Sequence, residues 1–232
     1  MFPETALAAS ASGITIVAGA GQSARILSVL SPFVVRVTDD GGNPVANVTV
    51  TRTATNGTLA SAATKTDATG QASNTMTLGT VAGTASAVAS VPGRSATFSV
   101  TVLTGIVAKI EFKTNAPASG ESGVSLSPPV RVALEDVGGN QTAATNLVSI
   151  ALSGGPTGAA LTGTLTRAAV AGIATFDDLK IDKTGSGYTL VASSAGVSNI
   201  TSTPITVGFG APGRLMIVSW GTNRRTERPE PR

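Results

Sequence analysis

Phe33-Val34-Val35-Arg36-Val37-Thr38-Asp39-Asp40-Gly41-Gly42-Asn43-Pro44 spells a strand and the turn that ends it. Successive side chains leave an extended chain on opposite sides, so Phe33, Val35 and Val37 share one face. The Asp, Gly and Asn residues then tolerate positive φ, and Pro44 fixes the exit from the turn. The alternation returns from Ser95 to Val102, where Ala96, Phe98, Val100 and Val102 oppose Ser95, Thr97, Ser99 and Thr101. Val48 and Val50 alternate with Thr49 and Thr51 in the same way. Val, Ile and Thr suit a pleated surface, and helical periodicity is hard to find.

Turn chemistry punctuates these runs at Asn56-Gly57 and Asp67-Ala68-Thr69-Gly70. The spacing predicts strands near 14–18, 33–38, 47–53, 62–66, 71–78, 84–89 and 95–102. Short strands about every 8–12 residues read as a β-sandwich. Seven of them in about 90 residues match the size of an immunoglobulin-like domain. The expected fold class is therefore all-β.

The pattern then repeats. Ser31-Pro32-Phe33 through Val37 with Gly41-Gly42-Asn43 returns as Ser127-Pro128-Pro129-Val130-Arg131-Val132 with Gly138-Gly139-Asn140. Gly70-Gln71-Ala72 returns as Gly172-Ile173-Ala174. In this second unit Ala108, Ile110 and Phe112 alternate with Lys109, Glu111 and Lys113. Val148, Ile150 and Leu152 alternate with small partners, as do Tyr188, Leu190 and Ala192. The expected organisation is an extension over 1–12, one domain over 13–103, a second over 104–208, and a remainder over 209–232. The two units meet at Leu103-Thr104-Gly105, and so short a linker limits bending. Arg214 to Val218 resembles Ala108 to Phe112, so the remainder reads as a truncated third repeat followed by a disordered tail. The N-terminus lacks the basic and apolar regions of a signal peptide, and the chain is expected to be a fragment of a longer one.

Composition removes several classes of function. The chain has 232 residues, of which 12% are charged and 3% aromatic, with no Cys and no His. Zinc fingers, disulfide scaffolds, Ser-His-Asp and Cys-His catalysis and haem attachment all need residues it lacks. No stretch approaches the ~20 apolar residues of a membrane helix. Of the net charge of +3, the segment 221–232 carries +2, through Arg224, Arg225, Arg228 and Arg232 against Glu227 and Glu230. The basic balance therefore belongs to one end and gives no pointer to nucleic acid.

Val35 to Val45, Thr66-Asp67-Ala68-Thr69-Gly70-Gln71-Ala72 and Leu78-Gly79-Thr80 resemble the bacterial immunoglobulin-like repeats of invasin- and intimin-type surface proteins. The resemblance covers 13–103. Residues 104–208 resemble a more divergent repeat, anchored by Ala171 to Phe176 and Gly187-Tyr188-Thr189-Leu190. It implies tandem immunoglobulin-like β-sandwich domains acting as a stalk on a bacterial cell surface or a secreted protein. It brings no catalytic residues, no cofactor and no metal ligands. The implied partners are neighbouring repeats, with any host-cell receptor or glycan met through another domain. Two positions depart from the pattern. Arg52 has the parity of Val48 and Val50, where an apolar residue is expected, and Ala85 stands where the second unit has Tyr188.

Candidate functional residues each have a structural alternative. Asp39-Asp40, Glu135-Asp136 and Asp177-Asp178 with Asp182 offer oxygen ligands that suit calcium between domains, or cap their own turns. Tyr188 is a binding aromatic or a corner tyrosine holding the sandwich. Lys109 or Lys113 could join an Asn in an isopeptide bond. Trp220 and the Arg224-Arg225-Arg228 cluster are an exposed contact or a solvated tail. Asn47, Asn56, Asn140 and Asn199 begin Asn-X-Thr triplets, which arise by chance in a Thr-rich chain. The rival to a spacer is a glycan- or protein-binding module that uses the loops at 39–44 or 154–158. A carboxylate or lysine enzyme is more distant, because no paired arrangement is visible.

Overall fold

The computed structural model describes residues 10–209, and every regular element among them is a β-strand. The expected third repeat, Trp220 and the arginine cluster lie outside the described residues.

The first sandwich packs a three-stranded sheet against a five-stranded one. The smaller sheet runs Gly13–Ala18, Phe33–Thr38, Gln71–Asn74; the larger runs Ser23–Arg25, Arg94–Leu103, Gly83–Val91, Thr49–Thr55, Ala63–Lys65. Phe33, Val35 and Val37 are fully buried, as the alternation requires. The facing strand Gly83–Val91 buries Ala85, Ala87, Ala89 and Val91. Three alanines leave room that Phe33 and Phe98 fill, with ring centroids 4.7 Å apart. Burying each ring contributes about 1.5–3 kcal/mol.

The second sandwich repeats the plan. Lys109–Thr114, Val130–Glu135 and Ile173–Phe176 face Ser119–Glu121, Ile205–Gly208, Gly185–Ser194, Leu147–Gly154 and Thr166–Ala168. Ile200–Thr201 pairs beside Gly185–Ser194. Here the bulk sits on the other side of the core: the counterpart of the alanine strand carries Tyr188, Leu190 and Ala192, all buried. Each sandwich has its own apolar cluster.

Four details depart from the sequence reading. The run 71–78 is two strands, Gln71–Asn74 and Met76–Leu78, in different sheets. Buried Asn74 makes the break: its Oδ1 accepts the Thr75 amide (2.9 Å) and its Nδ2 donates to the Ser61 carbonyl (2.6 Å). Met76–Leu78 then pairs with Gly57–Leu59, a strand the alternation does not mark. Ser23–Arg25 is also unmarked, and it pairs parallel to Arg94–Leu103. Ala108 is exposed, and Val107 packs toward the core in its place.

Candidate functional site

A group of polar contacts gathers where the two sandwiches meet. Asp39 and Asp136 end equivalent strands and fold equivalent turns. Asp39 Oδ1 accepts the amides of Gly41 and Asn43, both at 2.9 Å. Asp136 Oδ1 accepts the amides of Gly138 and Asn140, both at 2.9 Å. The fourth residue of each turn is a glycine with positive φ, 81° at Gly42 and 82° at Gly139, where a side chain would be strained. Loops of this kind form because a carboxylate one residue past the strand gathers the backbone amides that the ladder leaves unpaired.

The second turn does more than close on itself. Asn140 Nδ2 donates to the Thr80 carbonyl of the first sandwich (2.7 Å), and its Oδ1 accepts the Ala82 amide (2.9 Å). Asp136 Oδ2 accepts the Gly105 amide from the linker (2.7 Å). Arg25 Nη1 donates to the carbonyls of Thr104 and Gly105 at 2.9 and 3.2 Å. A side chain at Gly138 would collide with the Thr80 carbonyl, so only glycine permits this approach. Burial pushes the Asp136 carboxyl up, but the Gly105 amide, the Asn140 side chain and the turn amides outweigh it and hold it below the ordinary carboxylate value. Beside the joint, Arg25, Gly105, Ile106, Thr142, Asn146 and Gly196 line an open crevice of ≈550 Å³. No two carboxyl groups face one another across it.

Asp40 is exposed and makes no side-chain hydrogen bond among the described residues, whereas the other acidic candidates bond within the chain. Glu135, whose side chain is 1% exposed, takes Lys109 at 3.1 Å and Lys113 at 2.6 Å. Both lysines considered for an isopeptide bond therefore reach a carboxylate. Hydrogen bonds to Glu111 and Glu135 push the Lys113 ammonium up. Asp178 accepts the Thr164 hydroxyl (2.6 Å) and amide (3.0 Å), and Asp177 takes Arg167 at 2.6 Å. Asp182 accepts the Ala160 amide (2.7 Å). Among the described residues no three Asp, Glu, His or Cys side chains are grouped to hold a metal ion.

Tyr188 is fully buried and its hydroxyl donates to the Lys183 carbonyl five residues upstream (2.9 Å), the geometry of a corner tyrosine. The loops at 39–44 and 154–158 belong to opposite ends of the chain. The first adjoins Gly13, where the chain enters the first sandwich, and the second adjoins Gly185, beside the exit strand of the second. They do not converge on one surface. The sequence reading missed Thr80, Ala82 and Asn140 as a group, although the repeated Asp-X-Gly-Gly-Asn spacing was the signal that could have found them.

Residues 31–103 match the bacterial Ig-like domain (group 1) family. Among solved structures, the Yersinia pseudotuberculosis adhesin InvE is similar over 84% of this chain and 58% of its own, at 20% identity and TM-score 0.38. The Escherichia coli adhesin FdeC is similar over 88% of this chain and 65% of its own, at 20% identity and TM-score 0.42. The D00-D0 domain of intimin is similar over 84% of this chain and 99% of its own, at 14% identity and TM-score 0.45. The chain thus spans less than two thirds of the InvE and FdeC chains. No curated protein sequence matches it.

Proposed function

With residues 31–103 a bacterial Ig-like domain, we propose that the chain is a non-catalytic spacer within a bacterial cell-surface or secreted adhesin-type protein. Its two sandwiches hold each other end to end, and the repeats beside them are its partners. Any host-cell receptor or glycan is met by another domain.

The observation that carries this reading is the joint. Asn140 both donates to and accepts from one backbone segment of the neighbouring sandwich, and Asp136 holds the linker amide. A two-way hydrogen bond fixes direction as well as distance, so rotation of one sandwich on the other breaks it. A linker whose carbonyls are also bound by Arg25 has few torsions left to swing. Catalytic groups play no part in the arrangement. At the joint, each strong polar contact closes the turn, holds the linker or joins the sandwiches.

Small-angle scattering tests the proposal on the intact chain. The expected result is a rod about two domains long, with one sharply defined maximum dimension. A compact globule, or the broad distribution of two freely jointed beads, would contradict it.

A further inference from the structure

We propose that the turn Asp39–Asn43 is a half-joint that docks a further immunoglobulin-like repeat, through the contacts Asn140 makes with the neighbouring sandwich within the chain. This rests on the joint described above and goes beyond it by assigning a site and an occupant to the opposite end of the first sandwich.

Two residues support the assignment. Asn140 Nδ2 bonds its own Asp136 and the Thr80 carbonyl, and its Oδ1 takes the Ala82 amide. Asn43 stands at the same turn position, is exposed, and keeps only the first of these: its Nδ2 reaches Asp39 (3.3 and 3.2 Å), and among the described residues its Oδ1 receives no donor.

Gly41 gives the sharpest argument. It lacks the positive φ of Gly42, and a side chain there would meet only Asn43 Nδ2 and Asp39 Oδ1 of its own turn. Within the first sandwich only the end of the Asn43 side chain, 3.0 Å from such a methyl, would have to give way, and no backbone atom stands against it. At the matching position, Gly138 is required because the Thr80 carbonyl of the neighbour presses against it. Glycine at 41 is explained by a neighbour of the same kind.

The occupant follows from the groups left over. It must present a backbone carbonyl and, two residues on, an amide, as Thr80 and Ala82 do. The far end of the second sandwich is a poor source of this pair. There the matching carbonyl is that of Lys183, already taken by the Tyr188 hydroxyl, and the segment is one residue shorter before Gly185. The partner is therefore a repeat built like the first sandwich, and a second copy of this chain docked by its far end is not expected.

The test lengthens the full chain by duplicating residues 10–105 in tandem, which preserves the length of the linker. Hydrogen exchange is read at the Ala82 amide of each copy. The expected result is that both Ala82 amides exchange about tenfold or more slowly than open-loop amides. Asn43→Ala or Gly41→Val in the second copy should restore fast exchange at Ala82 of the first copy alone. Free exchange at Ala82 of the first copy while that of the second stays protected would overturn the docking proposal and leave the joint standing. Free exchange at both would overturn the joint and the proposal together. A doubled mass of the unlengthened chain in solution, lost on Asn43→Ala, would replace the repeat by a second copy and also overturn it.

Discussion

At the scale of single residues, Arg52 is the departure with consequences. It lies on the inward face of Thr49–Thr55, 5% exposed, and its Nη2 donates to the Ala72 carbonyl of the opposite sheet (2.8 Å). Nε and Nη1 are buried with no partner. Burial pushes the guanidinium below its ordinary value. An unsatisfied buried polar group costs about 1–3 kcal/mol. Arg52→Met keeps the length of the side chain and removes that cost, so it should raise stability by about 1 kcal/mol or more. Urea unfolding checks it, and a lowered midpoint would refute it. The unusual parity of Arg52 was legible in the sequence; its contact across the core was not, because parity names a face and not the residue opposite. Ala85 was equally legible as the place without a tyrosine. What replaces the ring, the Phe33–Phe98 pair, depends on two strands distant in sequence.

At the scale of elements, alternation located the long strands well, because one buried and one wet face leave a period of two. It failed where pairing does not depend on that contrast. Ser23–Arg25 has only three residues and owes its place to the backbone of Arg94–Leu103. The break at Asn74 comes from a side chain that bonds its own neighbours, which no hydrophobic pattern records. The joint was half legible. The repeated turn was plain, but the turn's partner, Thr80 to Ala82, lies 60 residues from Asn140. The two equivalent glycines provide a matched comparison. Gly138→Ala drives a methyl into the Thr80 carbonyl and should open the joint, broadening the scattering profile while each sandwich stays folded. Gly41→Ala meets only its own turn and should leave the profile of this chain unchanged. Equal effects from the two would contradict the assignment.

At the scale of the whole molecule, acid is the condition that reaches turns in both sandwiches. The carboxyls of Asp39, Asp67, Asp136 and Asp178 all sit below their ordinary value of 3.8. For Asp39 the chief cause is the Asn43 amide, and for Asp67 and Asp178 it is a threonine hydroxyl. A depressed folded pKa stabilises fully above the unfolded value and ceases to do so as pH falls through the folded one. Stability should therefore hold level down to about pH 4 and decline below it. With no histidine in the sequence, no step is expected between about pH 5 and 8. Urea midpoints across that range check both statements, and a step near neutrality would refute the second. The parallel pairing of Ser23–Arg25 with Leu103, repeated by Ser119–Glu121 with Gly208, has a mechanical consequence. Tension applied through the two ends of a sandwich pulls these neighbouring strands in opposite directions along their length. Their hydrogen bonds are then loaded side by side and must yield together, whereas antiparallel ribbons pulled from one end peel open bond by bond. Each sandwich is thus clasped shut between the points where the chain would be pulled.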